Sequence, residues 1–257
     1  MKVNIFLYAA IALLLAGSFS SCTEKGEAPD TNQILECDCK DELYYYSVLD
    51  DQKYYFDDRL LNDWLHVGFN LQVQDDEIVK FINETGLFKP VDIRNIIIVP
   101  EEYRIGVPTG INGSINYKRL YVNTKEQKTC SQLKEIICTL EESPMVAFAN
   151  LAFWYWKDGS EKEKGMESFS NYFYVTVKDK DDLSDLYSVS QEMNTIIIEQ
   201  PEYLSFSSTF TLQLNKSSKG NALQMGNYFA ETGKFELAGP EWLDGFKPVL
   251  MTSMNKN

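Results

Sequence analysis

Histidine is nearly missing from this sequence: His66 is the single one in 257 residues. Triad hydrolysis needs a base, usually histidine, within reach of a nucleophile. One histidine inside the alternating stretch Trp64-Leu65-His66-Val67 reads as a strand residue instead. Gly-x-Ser-x-Gly, His-Glu-x-x-His and the phosphate-binding glycine loop are absent as well. Acidic pairs occur at Asp57-Asp58, Asp75-Asp76, Glu101-Glu102 and Asp181-Asp182, but without the alternating spacing of a calcium loop. Two of these pairs open helices, where carboxylates meet the positive end of the dipole. Basic residues are scarce, 24 Lys and Arg against 38 Asp and Glu, for a net charge of −14. That balance excludes nucleic acid and an anionic membrane surface as partners, since both require clustered positive charge. No apolar run reaches the roughly 20 residues of a membrane-spanning helix. Catalysis, a metal and a cofactor are therefore not expected.

What is present begins at the N-terminus. Lys2 precedes an apolar run from Ile5 to Ala16, and small residues lead into Ser20-Ser21-Cys22. A charged start, a short apolar stretch and a small-residue exit mark a secretory signal over residues 1–21. The placement of Cys22 resembles a bacterial lipobox, although Phe19 stands where leucine is usual. The resemblance implies lipidation at Cys22 and anchoring to a membrane of the bacterial cell envelope, the outer membrane being the expected one. The alternative is a plain signal peptide beside an incidental cysteine. Acyl chains contribute ~0.8 kcal/mol per buried methylene, so more than one gives a stable anchor. Of the other cysteines, Cys130 and Cys138 lie ~12 Å apart along a helix, beyond disulfide reach of each other. Cys37-x-Cys39 has no matching second pair for zinc, so free or loosely paired thiols are expected.

The polar segment 22–40 reads as a tether. Tyr44-Tyr45-Tyr46 and Tyr54-Tyr55-Phe56 flank Asp50-Asp51 and read as a β-hairpin. The pattern then runs strand (Trp64–Val73), helix with Ile78, Phe81 and Ile82 on one face, strand (Ile93–Val99), and strand (Tyr117–Asn123). A helix opened by Thr129 and Gln132 and carrying Leu133, Ile136, Ile137 and Leu140 follows, then a strand from Met145 to Trp156. Residues 157–165 are charged and read as a linker. The same order returns: strand (Tyr172–Val177), helix after Asp181, strands near Ile196 and Phe210, helix (Asn221–Thr232) and a last strand (Phe235–Ala238). KRLYVNTKEQ (118–127) corresponds to FTLQLNKSSK (210–219), while NETGLF (83–88) and AETGKF (230–235) share a helix end. The expectation is an α+β protein of tandem ferredoxin-like βαββαβ units, the first over 41–156 and the second over 166–257. Trp154-Tyr155-Trp156 with Phe148 and Phe153 reads either as a binding platform or as a core strand ending at the junction.

Residues 171–242 resemble the N-terminal, propeptide-like region of subtilisin-like serine proteases from anaerobic Gram-negative bacteria. The likeness rests on the strand FYVTV, the run SKGNALQMGNYFAETGKFELA and the Gly239-Pro240-Glu241 end. It implies a βαββαβ propeptide-like fold, without the protease domain, that binds a subtilisin-like protease in trans as inhibitor or folding helper. It further implies an extended tail in the protease cleft, placing Gly239, Pro240, Trp242, Leu243 and Phe246 at the contact. The alternative is a lipid-anchored adhesion or ligand-binding module with the same fold and no protease partner.

Overall fold

The computed structural model describes residues 39, 42–98, 117–156, 164–198 and 207–243. Among these residues, four α-helices and antiparallel sheets make an α+β fold. The aromatic hairpin forms as β1 (Tyr44–Ser47) and β2 (Gln52–Tyr55), with Tyr44 opposite Tyr55. Its acidic turn is fastened by Ser47 Oγ donating to Asp50 at 2.8 Å, while Asp51 takes φ 53°.

The remaining elements fall into two runs. The first is β3 (Leu60–Asn70), α1 (Asp75–Glu84), β4 (Ile97–Ile98), β5 (Tyr117–Asn123), α2 (Cys130–Glu141) and β6 (Val146–Trp156). The second is β7 (Lys164–Val177), α3 (Ser184–Met193), β8 (Ile196–Ile197), β9 (Thr209–Gln213), α4 (Ala222–Glu231) and β10 (Phe235–Leu243). Each run has the order β-α-β-β-α-β, and in each the fourth strand lies beside the first: β6-β3-β5-β4 and β10-β7-β9-β8. Phe173 is paired with both Leu212 and Pro240, so β9 and β10 occupy opposite edges of β7.

Several boundaries differ from the sequence reading. β7 starts at Lys164, well before Tyr172, because its first residues pair with the end of β6, Phe153 opposite Glu167 and Trp156 opposite Lys164. The two runs therefore share one continuous sheet, and Lys164 and Gly165 of the expected linker belong to a strand. Residues 157–163 lie outside the described residues. β3 ends at Asn70 and Ile93–Asn95 is a 3-10 turn, opened by the Asp92 carboxylate on the Arg94 N–H. α1 is capped by Gln74, not Asp75, in a reciprocal box with Glu77, a cap of ~1 kcal/mol. α2 carries the Thr129–Gln132 box that its sequence predicts, and α4 an equivalent one from Asn221 and Gln224. α3 starts after Asp182, whose carboxylate accepts from the Ser184 N–H at 3.0 Å.

The two Glu-Thr-Gly helix ends are built alike. Thr85 and Thr232 each turn their hydroxyl back onto a carbonyl three residues earlier, at 2.7 Å, and Gly86 and Gly233 follow at φ 68° and 66°. Left-handed backbone costs a glycine nothing sterically, which is why the same residue closes both.

Alternate residues of the strands face the helices. Leu65, Val67 and Phe69 of β3, Leu120 and Val122 of β5, Phe153 of β6 and Phe169 and Phe173 of β7 pack with Ile78, Leu133, Leu186 and Phe229 from the four helices. Burial of each such side chain contributes about 1.5–3 kcal/mol. On α3, Leu186, Val189 and Met193 are buried, while Tyr187 is exposed. Cys39 is disulfide-bonded to Cys130 with the α-carbons 5.8 Å apart, and Cys138 is also in a disulfide. The expectation of free or loose thiols is thus corrected. The backbone near Cys39, tied by the Leu43 N–H to the Cys39 carbonyl, lies against the start of α2, a proximity no cysteine spacing shows.

Candidate functional site

β6 and β7 pair only over Phe153–Trp156 and Lys164–Glu167, then part, β6 toward β3 and β7 toward β9. Side chains seal the fork. Asn150 donates to the Phe169 and Ser170 carbonyls at 2.9 and 3.3 Å, and Ser168 Oγ donates to the Leu151 carbonyl at 2.7 Å. Over this fork, on the helix side, runs a cleft of about 660 Å³.

One wall is the α2 stripe Ser131, Lys134, Glu135, Cys138 and Glu141, spaced three and four apart as one helical face requires. The other wall is the first turn of α4, Asn221 to Gln224, with Asn215, Lys216 and Ser218 at the end. Lys134 pairs with Glu42 at 2.5 Å, and Lys216 Nζ donates to the Glu141 and Ser143 carbonyls at 2.7 and 2.5 Å. A cation there answers the negative end of α2. Burial pushes the Glu141 carboxyl above its ordinary range, against the opposing pull of the Ala149 N–H and of Lys216. In the floor sits Asn171, 7% exposed, whose Oδ1 is buried and has no hydrogen-bond partner. Such an orphaned acceptor is uncommon in folded proteins and invites a donor from outside.

The amide chemistry that Asn171 offers is already used elsewhere in this molecule. Asn227 on α4 donates to the Tyr44 carbonyl at 2.7 Å and accepts from the Tyr46 N–H at 3.0 Å, holding the extended backbone of β1 with both ends of one side chain.

The residues expected to contact a protease are placed differently. Gly239, Pro240, Trp242 and Leu243 are paired in β10, opposite Tyr174, Phe173, Phe169 and Ser168 of β7. Pro240 is buried, and Trp242 packs edge-on against Phe56, Phe153 and Phe169. The last strand, expected to end at Ala238, is corrected to run through Gly239 and Pro240 to Leu243. The strand continues because β7 still has an unpaired edge there, and an irregularity between Pro240 and Trp242 accommodates the missing proline N–H. Cys22 and Phe246 lie outside the described residues. Trp154 packs with Leu61, Tyr121 and Met166 on the helix-free face, while Phe153 is in the main core. Among the described residues no group of three His, Cys, Asp or Glu could hold a metal ion. Among them, too, no helix is long and apolar enough to cross a membrane.

Sequence reasoning missed Asn171, Asn150 and Asn227. Asn171 shares the strand Phe169–Val177 with Ser170 and Thr176, so its polarity alone does not single it out.

No protein-family model matches the chain, and no curated protein does. Among solved structures it is similar to the small subunit of acetolactate synthase from Thermotoga maritima, at 9% identity over 72% of this chain and 97% of that one. The TM-score is 0.24, and nothing about function rests on it.

Proposed function

We propose that the chain is a non-catalytic binding lipoprotein of the bacterial cell envelope, built of two ferredoxin-like units, that takes an extended peptide segment in the cleft between α2 and α4. The repeated strand order supports the two-unit reading. The observation that carries the binding reading is the unpartnered amide oxygen of Asn171 in the floor of the cleft. Peptide backbone alternates donors and acceptors, and an amide side chain can engage both, as Asn227 does with β1. Carbohydrate is the poorer match, because both aromatic residues in the lining, Phe148 and Phe169, are buried. A subtilisin-like protease is the partner implied by the likeness of 171–242. Docking through Gly239 to Leu243 would require β10 to leave β7, so a protease would offer the cleft a loop or strand of its own.

Two experiments test this reading. A peptide library displayed on phage and panned on the mature protein should enrich sequences that bind the wild type and not Asn171→Leu; enrichment that ignores this substitution sinks the cleft. Cys22→Ala should release the protein from membranes, and retention after a high-salt wash would end the lipoprotein reading.

A further inference from the structure

On the sheet face away from the helices, a buried histidine lies beside a half-buried arginine with two orphaned nitrogens. Register sets His66 opposite Tyr121 and Gly68 opposite Arg119, so His66 and Arg119 are diagonal neighbours on one face. His66 is fully buried, and neither Nδ1 nor Nε2 makes a well-aligned hydrogen bond, the Phe169 carbonyl being the acceptor beside the ring. Its ring stacks on Tyr121 with centroids 4.6 Å apart and meets Phe148 near edge-on at 5.3 Å. Arg119 Nε and Nη1 are buried without an acceptor, and among the described residues no carboxylate pairs with it. A guanidinium stays charged in proteins, so an anion is the natural partner of the two nitrogens that water does not reach.

Among the described residues none is supplied at this place. Glu241, the buried carboxylate of β10, is already engaged by Ser170 Oγ at 2.5 Å and Tyr174 OH at 3.1 Å. Gly68, opposite Arg119, has no side chain to offer. The Phe148 ring fills the space above it, 2.1 Å from where a Cβ would stand.

We infer that Arg119 and His66 bind a small oxyanion, a carboxylate or phosphate group, on the helix-free face of the first run of elements. The guanidinium fork matches either group in two parallel hydrogen bonds. The neutral imidazole carries one N–H, which a bound anion would draw from the Phe169 carbonyl as a further donor. Tyr117 and Tyr121 flank Arg119 two residues away on the same strand face and limit the size of the occupant. Arg119 as a whole is only partly buried, which leaves an approach from solvent. None of the α2 and α4 residues of the peptide cleft takes part, so this site stands whether or not that cleft binds peptide.

The test uses the mature protein in chloride buffer at constant ionic strength, titrated with inorganic phosphate and separately with succinate. Calorimetry and thermal unfolding should show saturable binding of at least one of them and a matching rise in melting temperature. Arg119→Met should abolish both effects and should melt above the wild type in chloride, because a buried unpaired charge is gone. His66→Phe, which leaves the guanidinium in place, should weaken binding at least tenfold. Lys180→Met, a surface control, should bind as the wild type does. Absence of saturable binding by either anion overturns the site, as does equal binding by wild type and Arg119→Met. The two titrations also tell phosphate from carboxylate.

Discussion

Gly226 of α4 and Gly239 of β10 meet backbone to backbone: a Cβ at Gly226 would lie 2.8 Å from the Gly239 α-carbon. Helix and strand approach this closely only because neither carries a side chain there. Gly226→Ala should therefore push α4 off β10 and destabilise by about 1–3 kcal/mol, the usual range for overpacking. Gly86→Ala is the contrast. Nothing lies within 4 Å of its Cβ position, so only the φ of 68° is penalised, by about 1 kcal/mol. Urea denaturation of both variants separates steric from conformational cost. Equal and small losses would mean that the α4–β10 contact is looser than this.

This contact also shows where the sequence was readable. The Glu-Thr-Gly ends and the capping boxes of α2 and α4 are local, so their residues announce them. The β-α-β-β-α-β order follows from period and turn chemistry, which act within a few residues. The length of β7 and β10 does not, because a strand extends as far as an unpaired edge is on offer, and that is decided by residues far along the chain. Asn171 was missed for the same reason. Its amide is orphaned only because β6 and β7 part at the fork, and no local pattern reports a fork.

Asn227 should prove necessary for docking of the aromatic hairpin. Its amide satisfies Tyr44 O and Tyr46 N together, at 2.7 and 3.0 Å. Asn227→Leu leaves both backbone groups without that partner, at a cost of about 1–3 kcal/mol if they stay buried. Hydrogen exchange at Tyr46 should then accelerate while α4 keeps its protection. Unchanged exchange would show that Tyr44 OH on Glu231 and the Lys53–Glu231 pair hold the hairpin alone.

The Cys39–Cys130 bridge spans 91 residues of sequence, enclosing β3, α1 and β5. Closing so long a loop restricts the unfolded chain, for a stabilisation of about 4–5 kcal/mol on the chain-entropy account. Cys39→Ala with Cys130→Ala should lower the unfolding free energy obtained from urea denaturation by an amount of that order. A change under about 1 kcal/mol would place the benefit elsewhere, in native packing around α2, and contradict the loop argument.

His66 should make stability depend on pH. Burial, and then the charge of Arg119, lower its pKa from 6.5 to about 3, while the Phe169 carbonyl acts in the opposite sense. Tyr121, Phe148 and Asn150 are the other neighbours, and none carries a formal charge at neutral pH. The folded protein thus keeps the ring neutral where the unfolded chain protonates it. Below about pH 6.5 the unfolded state binds the extra proton, so stability falls as pH falls, by up to ~1.4 kcal/mol per unit, and levels off below about 3. The carboxylates complicate the lower part of this window. Asp92 and Asp182, with pKa values lowered chiefly by hydrogen bonds from Arg94 and Ser184, also lose stability in acid. Glu141, raised by burial, works the other way, because its folded state favours the proton. The clearest reading of His66 is therefore the interval from about pH 6.5 down to about 5, above the ordinary carboxylate range. Urea denaturation across that interval should show a steady decline for the wild type and a nearly flat line for His66→Leu. An equal decline in both would assign the pH dependence to groups other than the buried imidazole.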